Sequence, residues 1–303
     1  MVTPLLAGLL AVSLQQTDTT VSVRPNARLE LENFGGSIVV RTWERNQVRV
    51  RAAHGRRDWV SVSASSSAVR VEADSRTGVA HSVEYEITVP VSMSLDLSGT
   101  YTSIDVVGVL GEIEAETVGG DVIVSGGAGR IRLESVQGRI VLSRARGNID
   151  VSTVNQGIHL IDVTGDIVAE TVNGPIVMER VQAGTVDAAT VNGTIVYDGT
   201  MRDGGDYVMS THNGGIWVVV PERSNATVNV STYNGSFDAS FSVSLRQSAS
   251  RRRYNFILGN GSAKLDLETF GGDVRFRRPG ESRPSFPSSS GKGRNQDKLH
   301  FEH

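Results

Sequence analysis

The side chains with the most obvious chemical capacity form a series of acids at a constant interval. Glu116, Glu134 and Glu170 sit on an eighteen-residue spacing, with Ser152 where one more acid would fall and Ala189 and Ser210 continuing the series. Stacked carboxylates can hold a cation or divide a proton between a general acid and a general base. Ser152 interrupts the column, however, and the neighbouring positions mix Glu114 and Asp150 with Arg132, so a solvated face of offsetting charges is the better reading. A polysaccharide-cleaving β-helix would need acids converging with Arg or Lys on one groove, and no such cluster separates from the repeat. Calcium-binding nonapeptides require Asp at a constant corner position. Here the corners carry Asn155, Asn173, Asn192, Asn213 and Asn234, with only scattered acids such as Asp121 and Asp166. Such an Asn column is expected to stack its amides. His54, His81, His159, His212, His300 and His303 fall in no nucleophile or metal motif. Cysteine is absent, which excludes thiolate catalysis, disulfides and Cys-ligated metal. The expectation is a non-enzyme with no cofactor, no metal and no catalytic residue.

The elements that carry these side chains are unusually regular. From Ile104 to Pro175 the chain is eight nonapeptides without an insertion, each opening on Ile or Val, apolar at its third position and, with Gln156 the exception, Gly at its eighth. Apolar residues at positions one and three make a short strand with an inward face. Gly, Asn, Gln and Asp at the end make a corner, since these residues tolerate left-handed backbone angles. Gly120, Gly138, Asn155, Asn173, Gly174, Asn192, Gly193, Asn213, Gly214, Asn234 and Gly235 are read as structural corners. Two kinds of nonapeptide alternate, so the true repeat is eighteen residues. Asn-Gly also signals hairpins, but hairpins let spacing drift, whereas stacking demands equal spacing. The sequence predicts an all-β fold, a β-solenoid of about eighteen residues and two strands per coil, right-handed as parallel crossovers are, with irregular β caps.

The remainder is organised around this unit. Residues 1–19 read as a signal peptide, with an apolar run from Leu5 to Leu14 and a small-x-small site at Ala11-Val12-Ser13. Residues 20–103 are expected to form an N-terminal β segment and cap, 104–220 the regular repeats, 221–278 the last repeats and cap, and 279–303 a Pro/Ser-rich disordered tail. A net charge of −3 gives no reason to expect nucleic acid as a partner. The apolar run is too short to span a bilayer as a helix. The predicted location is therefore outside the cytoplasm: periplasmic, on the cell surface or secreted.

One column singles itself out. At the second position of the second kind of strand, a site that should face outward, stand Ile123, Val141, His159, Val177, Val196 and Trp217. This stripe is the candidate interaction face, for an envelope glycan or protein or for another copy of the chain. The alternative is that terminal segments cover it.

The opening Leu31-Glu32-Asn33-Phe34-Gly35-Gly36-Ser37-Ile38, the serial Thr-Val-Asn-Gly corners and the closing Leu267-Glu268-Thr269-Phe270-Gly271-Gly272 resemble a bacterial family of unknown function described as putative adhesins with β-strand repeats. The resemblance covers nearly all of residues 25–278. It implies a β-solenoid on or outside the cell envelope, with no catalytic residues to carry over. An adhesin is the first functional expectation, and an envelope-stress accessory or regulatory protein the alternative.

Overall fold

A computed structural model describes residues 15–282, apart from 66, 77, 81 and 249–251. Its strands form one continuous sheet wound into a solenoid. The eighteen-residue period is literal in the pairing. Ile113, Ile131, Ile149 and Ile167 stand in parallel register on one face, and Ile104, Val122, Ile140, Ile158 and Ile176 on the other. Both rows point inward and are almost completely buried, joined by Val106, Leu133, Leu142 and Leu160. The core is thus a thin aliphatic column, and no coil could bury its apolar face without neighbours.

At both ends the spatial order of rungs departs from chain order. The strand Arg28–Trp43 lies directly against Ser94–Val107, pairing Leu29 with Leu95 and Ile38 with Ile104, although fifty residues intervene. That intervening chain, with Gln15–Ser22, builds the N-terminal cap largely from antiparallel strands. At the far end the rung of Ala263–Thr269 and Val274–Arg277 inserts between the last regular coil and the earlier segment Ala226–Thr232. An antiparallel strand, Arg253–Leu258, closes that end. The leader expected over 1–19 overlaps the folded sheet at Gln15–Thr19, which pair with residues of Gln47–His54. Residues 1–14 and the tail from 283 lie outside the described residues.

The tight corners correct one sequence expectation. Gly120, Gly138, Gly174, Gly193, Gly214 and Gly235 do not have left-handed angles. They are glycine because each backbone passes so close to its neighbouring rung that a Cβ would lie between 1.7 Å (Gly138 on the Gly120 carbonyl) and 2.2 Å (Gly174 on the Gln156 carbonyl) from an oxygen. The same carbonyls accept hydrogen bonds from a buried row of hydroxyls: Ser135 to Gly120 (3.0 Å), Thr171 to Gln156 (2.8 Å) and Thr190 to Gly174 (3.1 Å). The Thr of Thr-Val-Asn-Gly therefore staples one corner to the next. Left-handed angles belong to the looser corners instead, at Gly147 and Gly165 and, without glycine, at Arg144, Asp162 and Arg180. Asn155, Asn173, Asn192 and Asn213 form the expected amide ladder, the Nδ2 of each of the last three donating to the preceding Oδ1 at 3.4, 2.9 and 2.9 Å. Asn234, expected in the same column, is separated from it by the rung of Gly271.

Candidate binding face

The column singled out in the sequence stands in one parallel register from Ile123 to Trp217. Its side chains are not an open apolar surface. Val141, Val177 and Val196 are only 8%, 5% and 2% exposed, and Ile123, His159 and Trp217 are half-buried. In a parallel ladder each side chain has a neighbour above and below at about 4.8 Å, which shields a small β-branched group. Charged pairs also flank the row, with Arg139 Nε 2.9 Å from Asp121 and Arg180 Nε 2.6 Å from Asp162. The Arg180 hydrogen bond, with Arg144 nearby, holds the Asp162 carboxyl below its ordinary range. His159 Nε2 is buried and makes no hydrogen bond, Glu179 standing 3.7 Å away. Trp217 is taken up by the guanidinium groups of Arg275 and Arg277, 4.9 and 5.3 Å from its ring centre.

The open apolar surface runs along the tight corners. Outside the buried hydroxyl row, the residue between Thr and Asn projects into solvent at every coil. Strand register and backbone hydrogen bonds align Phe34, Thr100, Val118, Val136, Val154, Val172, Val191, His212, Phe270 and Tyr233 in one column. The five valines are 38–44% exposed and Tyr233 70%. At the C-terminal end the rings stack nearly parallel, His212 on Phe270 and Phe270 on Tyr233, both with centroids 4.7 Å apart. Ten rungs at strand spacing make a ridge about 43 Å long. The sequence shows the valines, in every Thr-Val-Asn-Gly, but alternation alone does not say that a corner residue stays exposed while a strand residue becomes shielded.

Beside the ridge lies a groove of about 840 Å³ between Val118, Val136, Val154, Val172 and Val191 on one wall and Glu116, Glu134, Ser152, Glu170, Ala189 and Ser210 on the other. Its floor is the buried Thr and Ser row, whose hydroxyls are spent on backbone carbonyls. The acid column singled out in the sequence is thus the far wall of an apolar groove. It extends in register to Glu32 and Ser98 at one end and to Glu268, Ser231 and Arg253 at the other. Arg132 Nε bonds Glu134 at 2.8 Å, offsetting one charge. A second recess of about 570 Å³ continues past Tyr233, Phe270, Glu268, Arg252 and Arg253. Among the described residues no group of three or more His, Cys, Asp or Glu side chains could hold a metal ion. The arrangement can bind along a line.

The family described as Toastrack DUF4097 matches residues 10–277. The chain is a Toastrack protein. This places it in a family of unknown function with a β-solenoid-like fold. No curated protein matches it. Among solved structures, a putative cell adhesion protein from Clostridium sporogenes aligns over 88% of this Toastrack chain and 100% of its own, at 10% identity and a TM-score of 0.24. No helix among the described residues is long and apolar enough to cross a membrane.

Proposed function

We propose that this Toastrack protein is an exported, non-enzymatic binding module of the adhesin kind. The observation that carries the reading is the exposed ridge of Val118, Val136, Val154, Val172 and Val191 ending in the His212–Phe270–Tyr233 stack. Soluble monomers seldom expose a contiguous apolar strip of this length unless something docks on it. A solenoid supports such a strip rigidly, because each rung fixes the next, and linear exposed rows are what repeat proteins use for binding. The docking role expected for the column from Ile123 to Trp217 is reassigned to this ridge, because the ridge offers more exposed apolar surface than a row whose Val141, Val177 and Val196 are nearly buried.

The test is co-sedimentation of the full chain with cell-envelope fractions. Val136→Ser, Val154→Ser and Val172→Ser combined should abolish sedimentation while circular dichroism keeps the β signature. Undiminished binding by the triple variant would move the site off the ridge, and no binding by the parent would remove the adhesin reading. Export has its own check. The small-x-small site at Ala11-Val12-Ser13 sets the expected cleavage, so N-terminal sequencing of exported protein should start at Leu14 or within a residue or two of it.

A further inference from the structure

We propose that the ridge binds a second copy of this chain, antiparallel, about a two-fold axis that crosses Val191 and Ala189. The proposal rests on the ridge being the binding face and names its occupant: the envelope-borne partner on which the ridge docks is another copy of this chain. Two properties of the face point to self-pairing. The first is taper. Over the stretch that would pair, the ridge is low where it is valine, from Val136 to Val191, and tall where it is aromatic, at His212, Phe270 and Tyr233; Phe34, at the other end of the column, lies outside that stretch. Laid antiparallel with Val191 against its own counterpart, the valines of each copy meet the rings of the other. Val172 falls opposite His212, Val154 opposite Phe270 and Val136 opposite Tyr233. Small residues then face large ones along about 29 Å, from Val136 to Tyr233 on each copy.

The second property is charge. The far wall of the groove reads, in register, Glu116, Glu134, Ser152, Glu170, Ala189, Ser210, Glu268, Ser231 and Arg253. Acids dominate one end and an exposed Arg stands at the other. The same two-fold sets Glu116 opposite Arg253, Glu134 opposite Ser231, Ser152 opposite Glu268 and Glu170 opposite Ser210. At the axis stands Ala189, which has nothing to clash. No acid meets an acid in this register. Moving the axis one rung towards the N-terminus would set Glu170 against itself and Glu116 against Glu268. A closed two-fold contact uses one patch twice, and this patch is complementary to itself only when reversed.

The native chain has no cysteine, which makes the register directly readable. Full-length Val191→Cys should give a disulfide-linked dimer in high yield under mild oxidation. Val118→Cys, whose counterpart lies eight rungs from it across the contact, should not link to itself. Analytical ultracentrifugation of the native chain should show a concentration-dependent dimer. At low salt, Glu116→Arg or Arg253→Glu alone should weaken it at least tenfold, and the two together should restore it. A native chain that stays monomeric overturns the proposal. So does equal linking by both cysteine variants, or a charge reversal that fails to rescue. A monomer that still loses envelope binding with the three ridge serines would leave the adhesin reading standing and assign the ridge to a foreign partner. A dimer that never sediments with envelopes would do the opposite.

Discussion

At the residue scale, the side chains that decide stability are small polar groups at the corners. Thr171 is buried, and its hydroxyl donates to the Gln156 carbonyl at 2.8 Å. Thr171→Val keeps the shape and removes the donor, leaving that carbonyl without this partner. The expected loss is about 1–2 kcal/mol, read from urea midpoints. The reverse case is Tyr85, whose buried hydroxyl has no partner and whose pKa burial pushes up. Tyr85→Phe should therefore leave stability unchanged or raise it by up to about 1 kcal/mol. Asp273 adds a pH dependence. Its carboxylate accepts from the Ser236 amide (3.0 Å) and hydroxyl (2.8 Å), and these bonds hold its pKa below the ordinary value. Because the folded pKa is the lower one, its stabilising contribution is complete above the unfolded carboxylate value of about 3.9 and is lost as pH falls through the folded pKa. Amide exchange at Ser236, corrected for intrinsic rate, should accelerate below pH 4 in the native chain, and Asp273→Asn should flatten that response.

At the scale of the coil, what matters is the distance between rungs. Strands at their usual spacing leave room for side chains that project outward or inward, but the tight corner turns its Cβ position onto the neighbouring rung. Gly193→Ala would bring a methyl to 1.9 Å from the Gly174 carbonyl. The two rungs must then separate, breaking the Thr190 and Thr211 hydroxyl bonds that span the same corners. A loss of at least about 3 kcal/mol is expected. Gly184→Ala is the control, since its Cβ would meet only the Asp166 carboxylate at 3.4 Å; it should change stability by no more than about 0.5 kcal/mol. A denaturation midpoint equal for the two variants would refute the close-approach account of these glycines. The corner glycines were legible in the sequence as corners, though for the wrong physical reason. Composition reveals that a position excludes a side chain, and left-handed angles and steric contact both do so.

At the scale of the molecule, the same ladder that makes the interior regular makes the exterior linear. An inward column of Ile and Val is necessarily matched by outward columns at the same spacing, and the tight corner is where an apolar one remains open. The half-shielded row from Ile123 to Trp217 shows how exposure differs between columns of similar composition. Its valines sit within a flat sheet between like neighbours, while Val118 to Val191 sit on the bend, where the surface curves away and no neighbour covers them. Capping follows the same logic, because both ends are closed by strands that leave the strict repeat and return antiparallel.

The sequence by itself determined the period, the all-β solenoid, the inward rows and the Asn ladder from Asn155 to Asn213, because each depends on equivalent positions of successive coils repeating the same local geometry. Only the tertiary structure decided three further things. The rung of Phe270 lies between those of His212 and Tyr233, reversing chain order, because strand pairing is a long-range choice that no local pattern records. The Thr hydroxyls are staples, because their acceptors belong to the neighbouring coil. And the exposed face is the corner ridge and not the strand column, because burial is set by curvature and by neighbours across the sheet, which a one-dimensional alternation of polar and apolar residues does not contain.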